Sequence, residues 1–178
     1  MLSSLLEALD VDYFTGINLK KTQAKISHNL DIYIPTQFGT IVQNEQKDQS
    51  IQDTSPELKI GVILNNQFRV YLSAIEYKTE LFKLKLVTGN YEYLIPINDN
   101  FRFFTGFHLG TFKDNMVYGL QIGSIYDITK NIEFEIGGVY SKYRKDVEIE
   151  GEKFGYSYSN RIKVKNSSSI YTGFNFKF

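Results

Sequence analysis

The sequence predicts an all-β chain, an eight-stranded antiparallel up-and-down barrel, on three observations. Apolar and polar side chains alternate with period two through most of its length. Three short polar breaks, Asn65-Asn66-Gln67, Asn98-Asp99-Asn100 and Thr129-Lys130-Asn131, each separate two such runs, as tight hairpin turns do. No apolar run approaches the roughly 20 residues of a membrane-spanning helix, so any crossing of a bilayer falls to strands.

Composition sets the bounds. A chain of 178 residues with 42% hydrophobic content is one domain long and buries a real apolar surface. Lys+Arg and Asp+Glu total 20 each, which lacks the basic footprint of a nucleic-acid binder. There is no cysteine, hence neither a disulfide framework nor a thiolate metal site. No His/Asp/Glu cluster stands at metal-ligand spacing, and no cofactor is expected.

In residues 1–10, Leu2, Leu5, Leu6 and Leu9 follow helical spacing, so a short helix is expected to precede a barrel domain of residues 11–178. The same segment has no basic start and carries Glu7, which makes it a poor signal peptide and points to a mature exported form with an added Met. The first strand is expected near residues 11–25. The polar stretch 43–55, rich in Gln, Asn, Asp and Ser, reads as a mobile loop within a long outer connection, residues 26–56. Within that connection, residues 30–34 extend the first hairpin or form a strand of their own.

Around the first turn, Leu58, Ile60, Val62 and Leu64 continue as Phe68, Val70, Leu72 and Ala74, interleaved with Lys59, Arg69 and Tyr71. The second turn joins Phe82, Leu84 and Leu86, set against Lys83 and Lys85, to Phe101, Phe103, Phe107 and Leu109, set against Arg102, His108 and Gly110. Across the third, Met116, Tyr118, Leu120 and Ile122 share a face with Phe134, Ile136 and Tyr140, opposite Asp127, Glu133 and Glu135. A last strand near residues 163–178 completes eight, which puts both termini and the three tight turns at one end.

That last strand places Ile170, Thr172, Phe174, Phe176 and Phe178 on one face and Tyr171, Gly173, Asn175 and Lys177 on the other. A strand that ends the chain on an aromatic, with Gly173 and Phe176 before Phe178, resembles the assembly signal of bacterial outer-membrane barrels. With its strand count the chain is similar to the small group that includes the OmpA membrane domain, OmpX and OmpW. The resemblance implies a transmembrane barrel in the outer membrane of a Gram-negative bacterium, delivered by the barrel assembly machinery and surrounded by outer-membrane lipids. It also implies tight turns on the periplasmic side and longer loops outside.

Alternation by itself fits two barrels, a soluble calyx with an apolar cavity and a membrane barrel with an apolar exterior. Dense Phe, Leu and Ile on one face, against Gly, Tyr and charge on the other, favours the membrane. The inward face then carries Arg69, Arg102, Asp127, Glu133, Glu135 and Lys177 near the periplasmic end, where a salt-bridged network is expected. Lys59, Lys83, Lys85 and His108 are expected in the upper lumen.

An eight-stranded barrel is narrow enough to be filled by side chains, which argues against a wide pore. The group's members are structural or adhesive surface proteins or narrow conduits. The expectation is a non-enzymatic surface barrel contacting a surface ligand or host receptor through its outer loops, with Tyr156 and Tyr158 as candidate contact residues. A narrow passive channel for small hydrophobic or ionic solutes is the alternative, and a soluble lipocalin-like ligand-binding barrel the third reading.

Two lipid A-modifying barrels set the test for catalysis. Like the palmitoyltransferase the chain has a His, His28, at the start of its first outer loop, but Lys78-Thr79-Glu80 stands where that enzyme needs an Asp-Ser pair. The deacylase needs a Ser two residues beyond its His, and His108 is followed there by Gly110. No nucleophile-base pair is assembled in the sequence.

Overall fold

A computed structural model describes residues 10–36, 38–78, 83–112, 115–144, 147–153 and 156–178. The candidate helix in residues 1–10 and the residues 79 and 80 that follow Lys78 lie almost wholly outside these.

The strands are β1 Val11–Thr36, β2 Gly39–Leu64, β3 Phe68–Lys78, β4 Lys83–Asn98, β5 Phe101–Phe112, β6 Asn115–Asp127, β7 Ile132–Tyr143, β8 Val147–Lys153 and β9 Tyr156–Lys177. From β1 to β7 sequential neighbours pair antiparallel, β9 pairs with β7 and β8, and β1 pairs with β9, which closes the sheet. Strands β7 and β8 follow one another along β9, so the barrel has eight staves. Following cross-strand partners from Val11 through Leu64, Phe68, Tyr93, Thr105, Ile122, Gly138 and Ile170 returns to β1 at Lys21. From residue 11 to residue 21 is a stagger of ten residues, which tilts the strands by about 40° and keeps the interior narrow.

The three polar breaks are the tight turns. Asn65 and Asn66 hold φ of 51° and 53°, and Gln67 N–H donates to the Leu64 carbonyl at 3.0 Å. Two left-handed residues make this a hairpin turn of the primed kind, and Asn tolerates that conformation best after Gly.

Polarity is inverted relative to a soluble protein. Ile170, Leu120, Ile122 and Ile60 are exposed to 67, 65, 64 and 62%, whereas Arg69, Glu92, Glu133 and Glu135 are fully buried. This overturns the soluble calyx: charge on the inside and apolar side chains on the outside suit lipid as the surrounding medium.

Strands β1 and β2 form one uninterrupted hairpin, Val11 pairing with Leu64 and Thr36 with Gly39. Residues 43–55 are therefore strand and not a mobile loop. Strand β3 accompanies β2 only as far as Glu57, and among the described residues no second strand flanks β2 beyond that point. Above the barrel, β2, β1, β9 and β8 continue as an open four-stranded sheet. Beyond Lys25, where β9 parts from β7, the sheet from Ile26 to Thr36 extends about 33 Å at 3.3 Å per residue. Thr40, Asn44, Asp48 and Ser50 on one face and Gln43 and Glu45 on the other are all exposed. The stretch looks like a loop in sequence because water on both faces removes any demand for an apolar one. At the tip Gly39 takes φ 131°, beside a fully exposed Phe38.

Candidate functional site

The lumen is the candidate site, and strand register fixes it in layers. At the rim that holds the tight turns the Arg102 guanidinium reaches Asp127 at 2.8 Å and Glu133 at 2.7 Å, and Lys177 approaches the same two acids at 3.3 and 3.2 Å. One layer up, the Arg69 guanidinium pairs with Glu92 and lies 2.7 Å from Glu135. It also faces the rings of Phe14, Tyr71 and Phe104 at 5.3–5.5 Å. Lys59 donates to Glu135 at 2.8 Å, and Tyr71 and Gln121 donate to Glu92 at 2.7 and 2.9 Å. Asn175 donates to Glu133 and Glu135 at 3.2 and 2.9 Å.

Above this lies a smaller polar layer. Lys20 and Asn18 donate to Glu57 at 3.0 and 3.1 Å, Ser73 and Thr88 meet at 2.7 Å, and His108 Nε2 lies 3.0 Å from Ser141 Oγ. Ile75, Tyr77, Leu86 and Val117, with Tyr143 against them, form an apolar layer at the top.

Lys20, Lys59, Arg69, Arg102 and Lys177 balance Glu57, Glu92, Asp127, Glu133 and Glu135, five charges of each sign. A buried ion without a partner costs several kcal/mol, so a neutral set interleaved with hydrogen bonds is the arrangement a closed lumen tolerates.

Glycines let these contacts cross a strand. His108, Gly119 and Ser141 are register neighbours on β5, β6 and β7, and His108 passes over Gly119 to reach Ser141. A Cβ at Gly119 would lie 2.6 Å from His108 Cε1. Glu92, Gly106 and Gln121 repeat the device on β4, β5 and β6. Gly173 serves the seam: Asn18, its partner on β1, occupies the space a Cβ would take.

One upper-lumen expectation is corrected. Lys85 is exposed on the outer face, because β4 runs on to Asn98 and its inward residues are Leu86, Thr88, Asn90, Glu92 and Leu94. Lys59 is buried; its backbone pairs with Ser73 of the upper layer and its ammonium reaches down to Glu135. The side chains of Lys83, His28, Tyr156 and Tyr158 lie outside the described residues. Phe176 and Phe178 are exposed on the outer face, with the Phe178 ring 6.4 Å from that of Tyr13.

Sequence reading missed Glu92, Glu57 and Lys20. Glu92 had a signal, since counting back from Arg102 across the Asn98 turn gives Thr88, Asn90, Glu92 and Leu94 one face.

Neither protein-family models nor curated protein sequences give a match to this chain. Among solved structures, the Neisserial surface protein A (NspA) superposes with a TM-score of 0.59 at 18% identity, covering 89% of this chain and 97% of its own. The outer membrane protein OprG of Pseudomonas aeruginosa gives 0.58 at 17%, covering 94 and 96%. Outer membrane protein H (OprH) of P. aeruginosa gives 0.55 at 21%, covering 94 and 99%. In fold, this chain is a small eight-stranded transmembrane β-barrel of the kind those outer-membrane proteins adopt.

Proposed function

We propose that the chain is a non-enzymatic surface protein of a bacterial outer membrane, with the barrel as anchor and the projecting sheet as contact surface. The carrying observation is the hairpin tip, where Phe38, Ile41 and Val42 are exposed to 100, 57 and 54% at the far end of the projecting sheet. Exposed apolar side chains held by paired strands beyond the membrane favour a protein partner. The ion-paired lumen acts as a plug that closes the barrel near its periplasmic end. Gly173, Phe176 and Phe178 serve as the signal for the assembly machinery, and the buried His108–Ser141 contact is a packing bond.

Surface labelling of intact bacteria tests this reading. Cysteine introduced at Gln43 reacts with a membrane-impermeant maleimide from outside, and Phe38→Ser with Ile41→Ser removes binding to immobilised host-cell extracellular matrix. Labelling only after the outer membrane is opened would overturn it.

Passage of small hydrophobic solutes is a second reading, favoured by the apolar layer of Ile75, Tyr77, Leu86 and Val117. It requires a lateral exit above the Lys20–Glu57 pair, since the charged layers occupy the route below.

A further inference from the structure

Two shallow grooves on the outer wall share one design, which a third, about 360 Å³ beside Ile60, Val70 and Leu72, lacks because no lysine borders it. The first, about 510 Å³, lies across β5, β6 and β7, with Phe107, Leu109, Tyr118, Leu120 and Tyr140 as its walls and Lys142 on its border. The second, about 320 Å³, lies across β7, β9 and β1, walled by Leu19, Ile136, Ile170 and Thr172 and bordered by Lys21 and Thr54. In both, the lysine is at the outward end. Lys142 is next to the last residue of β7, two beyond Tyr140, and Lys21 is two beyond Leu19 on the ascending β1. Both lysines are exposed, and among the described residues neither forms an ion pair.

The two lysines flank the same strand. Lys142 is the register partner of Asn166 and Lys21 that of Ile170, both on β9. Two strand spacings separate them laterally, about 10 Å, and four residues of β9, about 13 Å, separate them along the strand. Acyl-sized apolar grooves below and two cations above, at the height where the outward apolar face ends, complement a lipid with several chains and two anionic headgroup positions.

We infer that this wall binds a bis-phosphorylated, multiply acylated glycolipid of the outer leaflet, with acyl chains in the two grooves and phosphates on Lys21 and Lys142. The inference rests on the outer-membrane reading. A zwitterionic phospholipid would occupy the grooves with a single phosphate whose charge its own ammonium offsets, and so gain less from the lysines.

The test uses the full chain refolded in detergent micelles and offered lipid A, its monophosphorylated form, or phosphatidylethanolamine, with retained lipid counted by native mass spectrometry. Lipid A is expected to be retained about tenfold better than phosphatidylethanolamine, with the monophosphorylated form between them. K21Q/K142Q, which changes only outward side chains, should bring all three to one level while keeping its heat-shifted gel mobility. Equal retention of the three lipids by the parent, or an unchanged preference in K21Q/K142Q, overturns the inference. Folding of the parent in plain buffer sinks the membrane reading itself, whereas a detergent-folded barrel without lipid preference sinks only the grooves.

Discussion

Arg69 sits fully buried between acids and aromatic rings, so its loss has consequences beyond one contact. Arg69→Met leaves Glu92 without its cation and Glu135 with Lys59 alone. Breaking such a pair costs about 3–5 kcal/mol. Adding Glu92→Gln to Arg69→Met should recover part of this, because the stranded charge is removed; guanidinium unfolding in micelles followed by far-ultraviolet circular dichroism measures both. No recovery would mean that ring contacts, not charge, dominate the site. Gly119→Ala is expected to destabilise by about 1–3 kcal/mol, since the new methyl displaces His108 and crowds the Tyr140 carbonyl. Ser141→Ala removes only the hydrogen bond and should cost about 1 kcal/mol. If Gly119→Ala proves as mild as Ser141→Ala, His108 has another accessible position.

Among the elements, the β1–β2 hairpin departs most from the expectation of a loop. Amides of residues 40–52 that face β1 should exchange with deuterium far more slowly than those of a free loop, despite the polar composition; exchange within seconds would refute the paired strand. Asp48, near the base of the projection, accepts from Ser27 at 2.6 Å and lies 3.3 Å from Lys165. The Ser27 hydroxyl foremost, then Lys165, hold its carboxyl below the ordinary carboxylate range. A depressed folded-state value means the contact is complete at neutral pH and is lost only as pH falls through that value. Asp48→Asn should therefore speed local exchange at pH 7 and leave exchange unchanged in acid, where the native carboxyl is already protonated. Because Asp48 is solvent-exposed, the global unfolding midpoint should not move.

For the whole molecule, the neutral and crowded lumen predicts a closed barrel. Planar-bilayer recordings of the refolded protein at neutral pH should show no steady conductance, and a stable open level would contradict the plug. Refolding should require detergent, with mobility in SDS that shifts on boiling, since the outward apolar band has no other partner in water.

The sequence by itself determined the eight staves, the three tight turns and the outward face, because a half-apolar strand writes its orientation as a period of two and Asn-rich breaks mark where it reverses. The terminal run from Ile170 to Phe178 carries that pattern without interruption. Only the tertiary structure decided the rest. Register brings Arg69 of β3 beside Glu92 of β4 and Glu135 of β7, and a pairing across the barrel leaves no trace at any fixed sequence spacing. Lys85 was misplaced because a register count of one flips a side chain to the other face. The projecting sheet was hidden for the opposite reason: where both faces meet water, alternation has nothing to record, and paired backbone alone distinguishes strand from loop.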